Sequence, residues 1–365
     1  MKKYLYTAKK EDGKKVRGYM DAENEQELYE KLRGKALFLL QAKTVRGRSG
    51  SRKMKAKELA EFTRELGTLL QAGVPLIRAL TIISQEETVR PAVRVVYNDI
   101  LELLRQGVSF SGALEAQENV FPELLVHMMR TAEVSGNLGE VSMRLAVHYE
   151  KEYKLSGKVK SALAYPVILL VITIAVVVII FIGVLPRFKA LFQSTESIPL
   201  LTRIVLGISD TLIHNWIQIL VLAALLLVSL KAAAGISKVK YHADRMKLRI
   251  PVVGRLLKIM YTARFARTLS SLYGSGIPMV TALQIGRGTI GNRYIERQFD
   301  QVISSVCSGE SLSQALGAVD GFVKKFASSV MVGEETGKLD QMLLSMADTL
   351  DFEAERAIDS MIALL

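Results

Sequence analysis

The sequence predicts a mainly α membrane protein: two homologous antiparallel helical-bundle domains, transmembrane helices, and a small α/β cap at the N-terminus. Three observations predict this. From Val167 to Leu185 no residue is charged. A long helix-patterned block occurs twice, at an offset of 203 residues between Phe62 and Phe265. Within the first 45 residues, Tyr4 to Ala8 and Val16 to Met20 alternate apolar and polar as strands do.

Composition agrees with a membrane assignment. Half of the 365 residues are hydrophobic and 23% are charged, yet the mean hydropathy is +0.24. The apolar excess is concentrated in two blocks. The formal net charge of +12 suits nucleic acid, an anionic membrane face or acidic partners. With apolar blocks present, the membrane face is the simplest of these, and no nucleic-acid role is expected. A single cysteine, Cys307, excludes an internal disulfide framework and a multi-cysteine metal site. The opening Met1 to Tyr6 carries two lysines with no apolar run behind them, so it does not read as a signal peptide.

Along the chain, residues 1–45 form the α/β cap. Tyr4, Tyr6 and Ala8, then Val16, Gly18 and Met20, alternate around Asp12-Gly13, a hairpin signal. Asn24 to Leu32 reads as a helix and Phe38 to Ala42 as another strand. A basic linker, 46–57, follows, with Arg46, Arg48, Arg52, Lys53, Lys55 and Lys57 among Gly and Ser. It is either a solvated tether or a contact with anionic lipid or an acidic partner. The first cytoplasmic repeat domain covers 58–160.

The first span, 166–186, lies between Pro166 and Pro186, and its apolar run is long enough to cross about 30 Å of hydrocarbon. An extracytoplasmic connector, 187–215, leads to a second span, 216–234. That span is interrupted only by Gln218 and Lys231, with Trp216 as an interfacial anchor. Lys151, Lys154, Lys158 and Lys160 precede the first span. Lys238, Lys240, Arg245, Lys247 and Arg249 follow the second, while the connector carries only Arg187, Lys189 and Arg203. The positive-inside rule then puts the connector outside and both repeat domains inside.

The second repeat domain covers 255–365. F-T-R-E-L-G-T-L-L-Q-A-G-V-P-L-I-R-A-L from Phe62 is answered by F-A-R-T-L-S-S-L-Y-G-S-G-I-P-M-V-T-A-L from Phe265. G-V-S-F-S-G-A-L from Gly107 is answered by G-E-S-L-S-Q-A-L from Gly309, and the turn at Glu133 by the one at Glu334. Three blocks in order at near-constant offset mark a duplicated domain rather than a solenoid. Apolar residues three and four apart make each copy helical, a compact antiparallel bundle of about six helices. Gly73 and Gly276 suit left-handed helix ends, and Pro75 and Pro278 the start of the next helix. Ser109 or Ser111, and Ser311 or Ser313, are candidate N-caps. Gly136 with Leu138, and Gly337 with Leu339, form short breaks between long helices.

No catalytic, cofactor or metal site is expected. There is no G-x-x-x-x-G-K-[ST] loop: Thr336-Gly337-Lys338 resembles its tail, but Leu339 follows where a hydroxyl must bind Mg²⁺. His127, His148, His214 and His242 have no metal-ligand spacing, and Met128, Met129, Met342 and Met346 read as core filler. Glu133 and Glu334 either hydrogen-bond a helix end, contact the other copy or a partner, or form a cation site with Asp340. The alternative reading is a membrane-embedded enzyme or transporter of unknown substrate. An enzyme needs a polar cluster near the spans, and a proton-coupled pump or ion pathway needs Asp, Glu, His or Arg inside them. Neither is visible.

L-L-Q-A-G-V-P-L-I-R-A-L, G-V-S-F-S-G-A-L, the Glu-x-x-Gly-x-Leu turns and A-Y-P-V-I-L leading into a span together resemble the type II secretion F / type IV pilus C family of platform proteins. The resemblance covers essentially the whole chain. The family's turn reads Gly-Glu-x-x-Gly-x-Leu-Asp. The second copy keeps it from Gly333 to Asp340, while the first has Ala132 for the glycine and Gly139 for the aspartate. The resemblance implies a multi-pass protein of the bacterial inner membrane, with N-terminus and both repeats cytoplasmic. The implied partners are a hexameric assembly ATPase, pilin or pseudopilin subunits, other inner-membrane assembly components, the lipid bilayer, and further copies of the chain in a dimer or higher homo-oligomer. A third span is expected beyond Leu365, because Tyr165 shifted by 201 falls at 366 and the resemblance implies a span there.

Overall fold

The computed structural model describes residues 2–10, 15–22, 25–33, 37–45, 53–117, 119–185, 237–251 and 253–363. Of residues 186–236 it describes only Gly207, Thr211, Asn215, Gln218, Val221 and Leu225. The connector and the second expected span otherwise lie outside the described residues, as does the linker from 46 to 52.

The chain divides into two units, Met1–Met54 with Pro75–Pro122, and Lys55–Val74 with Glu123–Leu365. In the first, β1 (Lys2–Lys10) pairs antiparallel with both β2 (Lys15–Ala22) and β3 (Leu37–Val45), giving the sheet order β2-β1-β3. Helix α1 (Glu25–Arg33) makes the connection and touches β2 and β3. Residues 11–14, which include Asp12-Gly13, lie outside the described residues. The same unit holds α3 (Leu76–Gln85), α4 (Pro91–Arg105) and α5 (Phe110–Glu115). Leu80, Ile83, Ile100, Phe110 and Leu114 are the largest fully buried side chains from these helices.

The second unit begins with α2 (Ala56–Gln71), α6 (Glu123–Ser135) and α7 (Leu138–Ile179). After α8 (Ser237–Lys247) come α9 (Val253–Tyr273), α10 (Met279–Arg287), α11 (Arg293–Cys307), α12 (Leu312–Gly317), α13 (Lys324–Thr336) and α14 (Leu339–Ala363). Helices α9 to α14 repeat the order of α2 to α7, and α10 to α13 are within a residue of the lengths of α3 to α6. In each copy the first helix packs along the last, α2 on α7 and α9 on α14. The second copy is centred on Phe265, Phe299, Phe322 and Phe326. The Phe265 ring lies 4.8 Å from Phe299, 5.3 Å from Phe322 and 6.1 Å from Phe326. Offset and edge-to-face contacts of this kind add stability beyond area burial, roughly 0.5–1.5 kcal/mol per pair.

Helix α7 passes through Pro166 without a break and ends in a π-helical turn, Ile180–Val184. Proline removes one hydrogen-bond donor from the helix, yet the parts of α7 before and after Pro166 remain one rod. Over its most apolar 18 residues the mean hydropathy is 3.5, and none of them is buried. A helix this apolar inside a soluble protein would bury its side chains. Here Ile168, Leu169, Leu170 and Val171, which at about 100° per residue point all round the axis, are all exposed.

Candidate functional site

The positions singled out by the repeat are helix ends, and the two copies build them alike. Helix α2 ends where the Gly73 N–H donates to the Leu70 carbonyl at 3.0 Å and the Val74 N–H to Leu69 at 3.0 Å. Helix α9 ends the same way: Gly276 to Tyr273 at 2.9 Å and Ile277 to Leu272 at 3.2 Å. This pair of bonds is the Schellman closure, which requires the left-handed backbone region. Gly73 has φ of 82° and Gly276 of 80°. A Cβ added at either would meet nothing within 4 Å, so backbone conformation rather than space demands glycine. Pro75 and Pro278 then stand as N-caps of α3 and α10.

The second turn follows the same rule. Gly337 has φ of 67°, and Lys338 N–H reaches the Gly333 carbonyl at 3.1 Å. Gly136 has φ of 74°, and Asn137 N–H reaches Ala132 at 3.0 Å. Leu138 and Leu339 open α7 and α14. Leu339 is buried against Gly333, where a Cβ would fall 3.0 Å from the leucine Cα. Ser109 and Ser311 are the N-caps of α5 and α12, accepting from Gly112 N–H and Gln314 N–H. Ser111 and Ser313 lie inside those helices and are buried.

Glu334 is half-buried near the end of α13. Its two carboxylate oxygens accept from Leu312 N–H at 2.7 Å and Ser313 N–H at 3.0 Å. A carboxylate there satisfies free amides in the first turn of α12. Of the roles open to Glu334 from sequence, this geometry matches helix-end hydrogen bonding. Glu133 lies in the last turn of α6. Asp340 sits in the first turn of α14, where its backbone carbonyl accepts from the Ser270 hydroxyl at 2.8 Å. Among the described residues, no group of three or more His, Cys, Asp or Glu is placed to hold a metal ion.

Sequence reasoning missed a charged cluster where α7, α9 and α14 meet. Arg267 on α9 is paired with Asp351 on α14, and their side chains are 6% and 17% exposed. His148 on α7 is also buried and lies with them around a small enclosed cavity. His148 Nδ1, Arg267 Nε and Asp351 Oδ1 have no protein partner. Burial, reinforced by the positive charges of Arg267 and Arg264, holds the His148 pKa down at about 3. Burial also pushes the Asp351 carboxyl up, against the pull of Arg267. The first copy has the same pair at matching positions, Arg64 with Glu150 at 2.6 Å, but 41% and 34% exposed. Three further contacts tie α7 to the second copy: Lys151 to Asp348, Lys158 to Glu355 at 2.6 Å, and the Arg144 guanidinium to the Gly274 carbonyl at 2.8 Å. The signal in the sequence was the charge pattern itself, Arg64 with Arg267 and Glu150 with Asp351.

Two outcomes follow from burial. Replacing Arg267 by Ala strands a buried carboxylate and destabilises the detergent-solubilised protein by about 3–5 kcal/mol. Arg64→Ala, at a largely solvated pair, costs about 0–1 kcal/mol. Denaturant midpoints decide this, and equal losses would contradict the assignment. The second outcome concerns pH. The folded His148 pKa is below its unfolded value of 6.5, so between about 6.5 and 3 the unfolded chain holds a proton that the folded chain lacks. Stability therefore falls as pH drops through that window, by at most about 1.4 kcal/mol per pH unit. His148→Gln removes this loss, while the opposite contribution of Asp351 is common to both proteins. Melting curves at pH 7.5 and pH 5 should show the smaller acid loss in the variant.

Comparison with known proteins gives the same doubled pattern. The family profile described as type II secretion system (T2SS), protein F, matches residues 62–186 and again 265–365. The profile of that protein's N-terminal domain matches residues 1–43. The type IV pilus assembly protein PilC of Thermus thermophilus is 34% identical over 371 residues, covering 99% of this chain and 91% of its own length. The type II secretion system protein F of Pseudomonas aeruginosa is 32% identical over 378 residues, covering 100% and 92%. That of Xanthomonas campestris is 31% identical over 372 residues, covering 99% and 92%. With both repeats and the N-terminal segment matched, the chain belongs to the type II secretion system protein F family.

Proposed function

We propose that the chain is the inner-membrane platform of a type IV pilus or type II secretion machine, coupling a cytoplasmic assembly ATPase to insertion or extraction of pilin-like subunits. The observation that carries this reading is the doubled family match on a chain whose first copy runs unbroken into an exposed apolar helix. Relatives of both kinds match at similar identity, 34% for a pilus protein and 31–32% for secretion proteins, so the reading is stated at the level they share.

The chain is a scaffold rather than an enzyme. Its contribution to the machine is mechanical. From Leu138 to Val184 the 47 residues of helix measure roughly 70 Å at ~1.5 Å per residue. A push delivered at the α6–α7 turn is carried along that rod into the bilayer. Its pairing with α9 and α14 carries the same displacement to the second copy.

The topology in this reading has two spans, 166–186 and 216–234, an external connector, and both repeat domains with the N-terminus in the cytoplasm. The uncharged first run and the basic flanks at Lys151–Lys160 and Lys238–Arg249 support it. The N-terminal cap, the solvated faces of the repeats and the turns at Gly73-Pro75, Glu133-Leu138, Gly276-Pro278 and Glu334-Asp340 are the surfaces offered to the ATPase, to pilin-like subunits and to further copies of the chain.

Deleting the gene in its host should abolish the surface filament or the secreted products while the assembly ATPase and the pilin-like subunits persist in the cell. A full-length copy supplied in trans should restore them. Assembly that continues undiminished in the deletion strain would overturn the proposal.

A further inference from the structure

Helix α8 packs into the protein by one face and leaves the opposite face bare. At about 100° per residue, Tyr241, Asp244 and Leu248 point the same way. Asp244 is 2% exposed and Leu248 is 7% exposed, and α8 touches α9 and α11. The Asp244 carboxylate accepts from Arg293 N–H at 3.1 Å and from Lys247 Nζ at 2.8 Å, and its carbonyl accepts from Asn292 Nδ2 at 3.3 Å. The Tyr241 ring lies 5.4 Å from that of Tyr294, and the Arg297 guanidinium sits over it at 5.0 Å. These contacts fix the rotation of the helix.

On the other side, Val239, Ala243 and Met246 recur at spacings of four and three, so they form one stripe, and Ile250 follows in the turn after the helix. Val239 is 42% exposed, Met246 69% and Ile250 47%, and Ala243 is exposed as well. Lys240 and Lys247 flank the stripe on one side, and Arg245 and Arg249 on the other, all four exposed. The single acid between Ser237 and Ile250 is Asp244, turned inward. An apolar stripe with cations on both edges and no outward carboxylate is the pattern of a helix lying in an anionic membrane surface: the stripe enters the acyl boundary and the long cationic side chains reach the headgroups.

We propose that α8 is a membrane-surface anchor, seated with Val239, Met246 and Ile250 in the bilayer interface and Lys240 and Arg249 on anionic lipid headgroups. The occupant of this face is lipid for two reasons. The charge is complementary to an anionic leaflet, and α8 begins three residues after the second span at 216–234, a reach of about 10 Å. The proposal rests on the reading of 216–234 as that span. Its consequence is a fixed attitude for the second repeat, because α8 is locked to α11 through Asp244 and Tyr241.

The test uses the full-length chain carrying Cys307→Ser, with one cysteine at a time replacing Met246, Leu225 or Glu310 and bearing an environment-sensitive fluorophore. Each protein is reconstituted into phosphatidylcholine bilayers with and without phosphatidylglycerol. Bromine is placed on the acyl chains either near the headgroup or deep. The Met246 label should be quenched by shallow bromine several-fold more than the Glu310 label, which sits in the exposed turn before α12. The quenching should grow with phosphatidylglycerol and fall when Lys240 and Arg249 are changed to Glu. The Leu225 label should be quenched by deep bromine. Quenching at Leu225 with none at Met246 overturns the anchor and leaves the span standing. Quenching at neither overturns both. Shielding of Met246 that grows with protein density instead of anionic lipid points to a second copy on this face, and also overturns the anchor.

Discussion

In each copy the first and last helices approach closely enough that a small residue has to face a larger one near the turn. In α2 and α7, a Cβ on Gly67 would fall 2.8 Å from the Met143 side chain, and one on Gly139 3.2 Å from Gln71. In α9 and α14 the serine at the Gly67 position, Ser270, donates its hydroxyl to the Asp340 carbonyl, and a Cβ on Gly274 would fall 2.9 Å from the Ser270 carbonyl oxygen. Size is exchanged across the contact: Gln71 faces Gly139 in one copy, and Gly274 faces Asp340 in the other. This explains why the first copy lacks the aspartate of the family turn, since a side chain at residue 139 would meet Gln71. The glycine turns matter because they return the chain at the point where this pairing can form.

The two copies differ most in how solvent reaches one ion pair. Arg64–Glu150 is largely solvated, whereas Arg267–Asp351 is covered and lies beside His148 of α7. Helix α7 therefore serves two neighbours: α2 of its own copy, and α9 with α14 of the other. A buried arginine–aspartate pair is weak evidence of net stabilisation, because desolvation opposes the attraction. Its effect is on geometry. Once α7 has packed here, slipping along α9 would move His148 from its buried place beside the pair and separate Lys151 from Asp348 and Lys158 from Glu355. That registers the second copy against the helix that goes on to become the apolar rod.

Much of this was legible in the residues. The repeat, the Gly-x-Pro turns, the left-handed glycines and the caps at Ser109 and Ser311 follow from local rules that need no tertiary information. The glutamate turns were legible as positions but open as roles; only the three-dimensional neighbour, the first turn of α12, shows what Glu334 binds. Pro166 was read as an edge of the span, yet the helix continues through it, because proline removes one bond and a long helix can retain its course without that bond. His148 was invisible as a site. Metal spacing was the only test that sequence offered for it, and its place depends on burial by α9 and α14. The bare face of α8 was hidden for a similar reason: its basic residues were read for orientation alone, and which of its faces packs inward is a tertiary fact.

The central claim is that α7 is one continuous rod from the repeat domain into the membrane. Nitroxide labels placed singly from Lys151 to Val184, in full-length protein reconstituted in lipid, test it directly. Accessibility to oxygen and to a water-soluble relaxant should vary with a 3.6-residue period up to the apolar run. From Val167 onward, oxygen access should rise and aqueous access should vanish on all sides of the helix. Distances between label pairs spanning Pro166 should grow by about 1.5 Å per residue of separation. A loss of periodicity at Tyr165 and Pro166, or pair distances scattered there as in a hinge, would contradict the rod and with it the mechanical coupling of the two copies.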